Sequence, residues 1–473
     1  MRRGSTPRLS PGPRTAGRRV SRRPFSSFGV LGLVQGLLLL GAGLTVGCGG
    51  PEPSASPAAP VAATAADTAP EAPADTSQGK WRKARPVPAA VPAGERGERA
   101  ADVRALPYLQ GYRAAEDRPQ IIVRDPAAVA PGLNLYTSGH AAEAVLMDRD
   151  GRVLHRWRYP LRRLWPDLAA DPANAKLEYW RRVYLFPNGD LLGIYEGLGI
   201  VKLDARSNVL WAHRGGIHHD LQVLPNGEIW VLDRDGKIVP RINPDQGILE
   251  DMVTVLSSEG RVLRRISILK SLERSRWASL LDRAKRAGDI FHTNTLEVLD
   301  GRFADRDPAF RRGNVLVSIL HLDALAILDP GREEVVWART GSWRRQHQPT
   351  FLDDGHLLLF DNRGPGPDRS RIVELDSSTG RTVWQFGGTR EIDFFSKTLG
   401  SCQRLPNGNT LISESENGRA LEVTRDGRVV WEFYNPHRTG EDGELVAVLF
   451  EMLRLPPDFP FRGSFPGLRA DRR

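Results

Sequence analysis

Three histidines stand in one register. His219 lies eight residues before Gly227, His347 eight before Gly355, and His292 nine before Gly301. Each of those glycines closes a turn, so the imidazoles occupy matching places in three successive units. Imidazole exchanges a proton near neutrality and has a nucleophilic lone pair when neutral. A convergent set can therefore transfer a group, shuttle protons or hold a metal, because three histidines with an open position suit catalytic zinc. The plain alternative is three hydrogen-bonded structural residues. Arg181, eight before Gly189, shares the register and adds a cation. Asn294 follows His292 by two positions, which puts both on one face of a strand. Asp220 can orient an imidazole or simply stabilise a strand start. His218, next to His219, is expected to point away and be structural.

The elements that must position these groups are repeated. From about residue 130 an apolar strand runs into a tight turn, a second strand and then a third that ends near tryptophan. The turn copies are Pro187-Asn188-Gly189, Pro225-Asn226-Gly227, Asp353-Asp354-Gly355 and Pro406-Asn407-Gly408, with a weaker Leu299-Asp300-Gly301. Asn-Gly and Asp-Gly supply the positive φ that hairpins require. Late-strand copies end at or near Trp157, Trp211, Trp337, Trp384 and Trp431, and a further one contains Gly260-Arg261-Val262. Units of about 40–55 residues with several strands each are propeller blades. Six late copies predict an all-β, six-bladed β-propeller over residues 106–445, closed with help from an N-terminal strand. Inner strands of such a ring line its channel, so the three imidazoles should meet near one end.

Two segments interrupt the pattern. Residues 161–182 and 270–287 have apolar positions three or four apart and read as helical insertions over one mouth of the ring. Residues 446–473 read as a C-terminal tail.

The chain has 473 residues, 66 Lys+Arg and 57 Asp+Glu, for a net charge of +9. Much of that excess is arginine within residues 1–23, which contain no acid, so it marks targeting and not nucleic-acid binding. Residues 28–46 are uncharged. Ser21-Arg22-Arg23-Pro24-Phe25 resembles a twin-arginine export motif, and Leu44-Thr45-Val46-Gly47-Cys48 resembles a lipobox. Residues 1–48 are thus expected to be an export signal, with Cys48 acylated and holding an exported body at the membrane. An uncleaved membrane helix and simple cleavage are the alternatives. Residues 49–105, rich in Ala and Pro, read as a disordered tether. With only Cys48 and Cys402, a disulfide scaffold is excluded, and Cys402 reads as a small core hydrophobe.

The runs HHDLQVLPNG (residues 218–227), FHTN (291–294), QHQPTFLDDGHLLLFDNRG (346–364) and FFSKTLGSCQRLPNGNTLISES (394–415) resemble bacterial arylsulfotransferases, as do PGLNLYTSG (131–139) and WEFYNP (431–436). The resemblance spans about residues 120–440. It implies an exported six-bladed propeller that needs no cofactor, including the nucleotide donor PAPS. Such an enzyme moves a sulfuryl group from a phenolic sulfate donor to a phenol acceptor through a sulfohistidine. By motif match His347 is the nucleophile. His219 and His292 are placed to bind the sulfuryl oxygens or protonate the leaving phenolate, and Asn294 offers an amide donor. The family's channel arginine is missing, since Leu320 stands where it is expected. His321, Arg363 and Arg181 are the possible replacements.

Three functions follow: a membrane-tethered sulfotransferase, a propeller that binds anionic aromatic ligands without turnover, and a metal-dependent hydrolase or scaffold. None involves nucleic acid.

Overall fold

A computed structural model describes residues 110–461. The expected export signal, the acylated Cys48, the tether at residues 49–105 and residues 462–473 lie outside this range. Among the described residues no helix is long and apolar enough to cross a membrane.

The chain is all-β. Among the described residues six sheets of four or five strands follow one another, antiparallel except where Gly288–Asp289 joins the third sheet in parallel. The second is typical, with Trp180–Leu185, Leu191–Tyr195, Gly199–Leu203 and Val209–Arg214 in sequence order. The third to sixth sheets lead with His218–Val223, Thr293–Val298, His347–Phe351 and Ser401–Arg404. The first sheet is different. Its leading strand, Leu449–Leu455, comes from the far end of the chain and pairs with Leu133–Ser138.

That pairing corrects the expected tail at 446–473. Residues 449–455 read LFEMLRL, and all but Leu453 are buried, so the first sheet recruits them to complete its core. On the N-terminal side Ile121–Val123 pairs with Val429–Tyr434 at the outer edge of the sixth sheet.

The turn glycines take the predicted conformation. Gly189, Gly227, Gly301, Gly355 and Gly408 have φ of 89°, 87°, 83°, 80° and 88°. In four of them the amide closes the turn, as Gly227 N does on Leu224 O at 2.9 Å. Gly301 instead opens a longer loop holding Pro308–Phe310, which explains its weaker sequence signal.

The recurrent tryptophans staple one sheet to the next. Trp157 Nε1 donates to Gly189 O, Trp211 to Ser258 O, Trp384 to Arg425 O, and Trp431 to Arg149 O, all at 2.8–2.9 Å. The last bond joins the sixth sheet to the first. Six apolar clusters fill the spaces between consecutive sheets, the sixth and first included. Truncating a fully buried tryptophan such as Trp157 costs about 3–5 kcal/mol.

Leading strands are stitched by side chains. A leading strand has a backbone edge with no neighbouring strand, and buried amides need acceptors. Asp220 and Gln222 accept from Leu296 N and Val298 N of the next sheet. Thr295 and Glu297 accept from Gln348 N and Phe351 N. Gln348 then accepts from Cys402 N, and Gln403 from Arg454 N. Arg182 pairs with both Glu451 and Asp220 and returns the succession to its start. Burial raises the Asp220 carboxyl above its usual range and pushes Glu297 up to about 7.

The insertions are shorter than expected. Pro166 and Pro172 start new one-turn helices, giving Leu161–Leu164, Pro166–Ala169 and Pro172–Ala175. Trp180 to Arg182, assigned to the insertion from sequence, begin a strand. The second insertion forms Ile268–Glu273, capped by Ser267, and the 3₁₀ turn Ala278–Arg283.

Candidate active site

A backbone irregularity positions the histidines. In five of the six leading strands the pairing register slips near the start: at Arg181, His219–Asp220, Asn294, Gln348–Pro349 and Phe450. His219, His292 and Gln348 have φ of 54°, 51° and 46°. Left-handed backbone is uncommon for residues with a Cβ, and bulges re-aim side chains beside active sites.

His219 and His292 meet edge to face with ring centroids 4.9 Å apart. His347 interacts electrostatically with His219, His292 and Arg181. The three predicted imidazoles and Arg181 are thus brought together, although they come from the second to fifth sheets.

His347 is 2% exposed. Its Nδ1 lies 2.8 Å from Asn362 Oδ1 and 3.1 Å from Arg345 O. The Asn362 amide nitrogen donates to Ser396 O and Leu399 O, which fixes Oδ1 as the acceptor. Both neighbours of Nδ1 therefore accept, so Nδ1 carries the proton. Nε2 keeps its lone pair and has no hydrogen-bond partner among the described residues. Burial, with Arg181 nearby, lowers the imidazole to about 3. The ring is neutral across the physiological range.

Asn294 and Gln346 hold this strand. Asn294 Nδ2 donates to Gln346 O at 2.8 Å, so the amide expected to face a substrate braces the backbone next to His347. The slip at Asn294 breaks the simple two-residue alternation with His292. Gln346 Nε2 donates to Ser318 Oγ and Ala324 O of the fourth sheet.

His292 Nδ1 hydrogen-bonds Asp289 Oδ2, and Asp289 Oδ1 accepts from His292 N. Burial alone would raise the Asp289 carboxyl, but His292 outweighs it and holds the group far below the usual range. The orienting acid is Asp289 and not Asp220, which is committed to Leu296 N and Arg182.

His218 does not point away. The positive φ at His219 turns the pair so that their Nδ1 atoms lie 2.9 Å apart. Glu196 accepts from His219 N at 3.0 Å and sits 3.2 Å from its Nδ1. Burial holds both imidazoles well below their ordinary value, helped by Arg234 for His218 and His292 for His219.

Arg181 is 6% exposed and rests on the Phe450 ring, with its guanidinium carbon 5.2 Å from the centroid. It forms no hydrogen bond or ion pair among the described residues, and its buried Nε lacks a partner. Burying a cation that makes no direct ion pair is costly, and an anion joining it relieves that cost. Leu320 is buried in the turn Leu320–Leu322, and the His321 ring lies 5.4 Å from His292. Arg363 is not in the cluster. It lines a cavity at the edge of the site, where its Nε donates to Pro367 O.

Metal-ligand chemistry is present too. Glu196, His218 and His219 offer atoms within 4.8 Å of one another, as do Asp289, His292 and His321. Both sets suit a divalent transition metal by donor type. A cavity of about 900 Å³ elsewhere is lined by none of these groups.

Sequence reasoning missed Asp289, Glu196, Asn362 and His218 as members of the site. His218 and Asn362 stood inside quoted motifs and Asp289 just before one, where an acid three residues before His292 was the available signal; Glu196 lay outside them.

No curated protein matches the chain. Among solved structures it is similar to a protein of unknown function from Bacteroides caccae, at 15% identity over 64% of this chain and 94% of that one, with a TM-score of 0.44. It is similar to the WD40 beta propeller domain of Doa1 at 13% identity, over 73% and 95% of the two chains, with a TM-score of 0.39. A streptogramin B lyase gives 11% identity, 71% and 97%, and 0.40. The arylsulfotransferase (ASST) family model matches residues 186–436, more than half the chain and all three register histidines. The chain therefore belongs to the arylsulfotransferase family.

Proposed function

We propose that the protein transfers a sulfuryl group between phenols through a sulfohistidine at His347. The observation that carries this reading is the His347 tautomer: Nδ1–H is held by two carbonyl oxygens and Nε2 has an uncommitted lone pair. Nε2 attacks the sulfur of an aryl sulfate. The S–N bond forms, the bond from sulfur to the aryl oxygen breaks, and the electron pair leaves on the aryloxide. His292, held by Asp289 through Nδ1, protonates that oxygen through Nε2. Sulfuryl transfer, like phosphoryl transfer, needs its three equatorial oxygens stabilised. Arg181 supplies the charge, replacing the arginine lost at Leu320, and neutral His219 adds a hydrogen-bonding group. Asn362 and the Arg345 carbonyl stabilise the ring while it carries the sulfuryl group. In the second half-reaction His292 takes the proton of the acceptor phenol, whose oxygen attacks sulfur and returns the electron pair to Nε2.

The six sheets, their cyclic stitching and the staple from Trp431 to Arg149 support a six-bladed propeller as the scaffold. The export and lipobox motifs support a body tethered outside the cytoplasm through Cys48. Loss of membrane partitioning in Cys48→Ala tests the tether.

The central experiment incubates the purified full chain with 4-nitrophenyl sulfate and phenol. Phenyl sulfate should form, and an acid-labile adduct should appear on His347 by peptide mass spectrometry. Absence of both overturns the proposal. Leu320 favours a second reading, binding without turnover. That reading predicts calorimetric affinity for aryl sulfates in the wild type and transfer only in Leu320→Arg.

A further inference from the structure

Beside the histidines is a cavity of about 530 Å³. Its lining includes Arg283, Lys285, Arg344, Arg345 and Arg363, together with His321 and a single acid, Asp323. The second helical insertion forms one wall, since Arg283 ends its 3₁₀ turn and donates to Leu322 O at 2.8 Å. Asp323 is already engaged, accepting from Arg345 N at 2.8 Å and lying 3.7 Å from the Arg344 guanidinium. Among the described residues Arg283, Lys285, Arg345 and Arg363 take part in no ion pair. Some surface arginines elsewhere pair with carboxylates, as Arg241 does with Glu273, Arg302 with Asp353 and Arg428 with Asp125. Four cations without an ion pair thus line this one cavity.

The cavity adjoins the reacting groups. His321 in its lining touches His292, and the Arg345 carbonyl accepts from His347 Nδ1. Leu320 and Pro367 give it an apolar flank, and its volume suits a substituted aromatic ring. The Lys285 ammonium, within 3.4 Å of His321 Nε2, is held below its ordinary value by burial and by Arg345, against the pull of Asp289. Cations that repel one another around an open space are relieved by an anion.

We propose that this vestibule binds a second anionic group on the substrate. Preferred aryl sulfates would then carry a carboxylate, sulfonate or phosphate on the ring besides the sulfate ester. The inference rests on the sulfuryl-transfer reading for the identity of the first anion. Its test does not require turnover.

Titration calorimetry of the full chain at low ionic strength would compare benzenesulfonate with 4-sulfobenzoate, two probes that cannot be turned over at the C–S bond. The expected result is at least tenfold tighter binding of 4-sulfobenzoate. That preference should fall below threefold in the double variant Lys285→Ala/Arg363→Ala, and should shrink in the wild type as salt is raised. Equal affinity for the two probes overturns the inference, and so does a preference that survives the double variant. Failure of 4-nitrophenyl sulfate turnover would instead overturn the sulfotransferase reading, whatever the calorimetric ratio.

Discussion

The leading strands of the fifth and sixth sheets are neighbours with the same structural duty, yet only one carries a buried imidazole into the histidine cluster. His347–Phe351 opens with a slipped register, a left-handed Gln348 and a buried imidazole. Ser401–Arg404 pairs residue for residue with Thr410–Ser413 and has Ser401 and Cys402, with no imidazole, at its buried start. The regular strand satisfies its backbone and packs. The irregular one spends backbone strain, order 1 kcal/mol per left-handed residue, on aiming a side chain inward. Position in the repeat is therefore insufficient to make a site; the bulge is the added ingredient.

The sharpest way to break this contrast is His347→Ala. Loss of the nucleophile should lower transfer by about 10⁴-fold or more and abolish the adduct, as read by product formation and mass spectrometry. Arg181→Ala comes next. Removing a stabiliser of developing charge should cost about 10²–10³-fold in kcat, with Arg181→Lys recovering part of it. Asp289→Asn should cost about 10–100-fold. Its effect should be larger for donors with poor leaving groups than for 4-nitrophenyl sulfate, because His292 then serves as the acid.

The pH dependence sharpens the comparison further. An imidazole of ordinary pKa, about 6.5, would lose about 30-fold of its neutral form by pH 5. His347 is lowered to about 3, so single-turnover adduct formation should stay nearly flat from pH 7 to pH 5. The sign for stability follows. A lowered imidazole favours the folded state fully above about 6.5, and that contribution is lost as pH falls toward 3. Chelator treatment with metal analysis should leave transfer within about twofold. A stoichiometric metal whose removal abolishes activity would assign the two His–carboxylate sets to metal binding instead. The smallest effect belongs to the regular strand. Burial raises Cys402 to about 12, so the folded protein should resist iodoacetamide there. Cys402→Ser should cost about 1–2 kcal/mol of stability, read as a lower urea midpoint, and leave transfer unchanged.

Much of the architecture was legible because it is repetitive and local. Hairpin glycines at Gly189, Gly227, Gly355 and Gly408 announce themselves by turn chemistry. The tryptophans mark late strands because each must reach the next sheet. Residues 446–455 were misread because a strand that completes a sheet three hundred residues away has no nearby partner in sequence. His218 and Asn294 were misplaced for another reason. Strand alternation predicts which way a side chain points only where the register is unbroken, and both lie at slips.

Read alone, the sequence determined the all-β repeat, the common register of His219, His292, His347 and Arg181, and the family motifs around them. These follow from spacing, and spacing is written along the chain. Only the tertiary structure decided that Asn362 fixes the His347 tautomer, that Asp289 partners His292, and that the buried Arg181 Nε has no hydrogen-bond partner among the described residues. Such facts depend on which side chains meet once the polypeptide is closed on itself, and on how far burial shifts a proton. Linear order contains neither quantity.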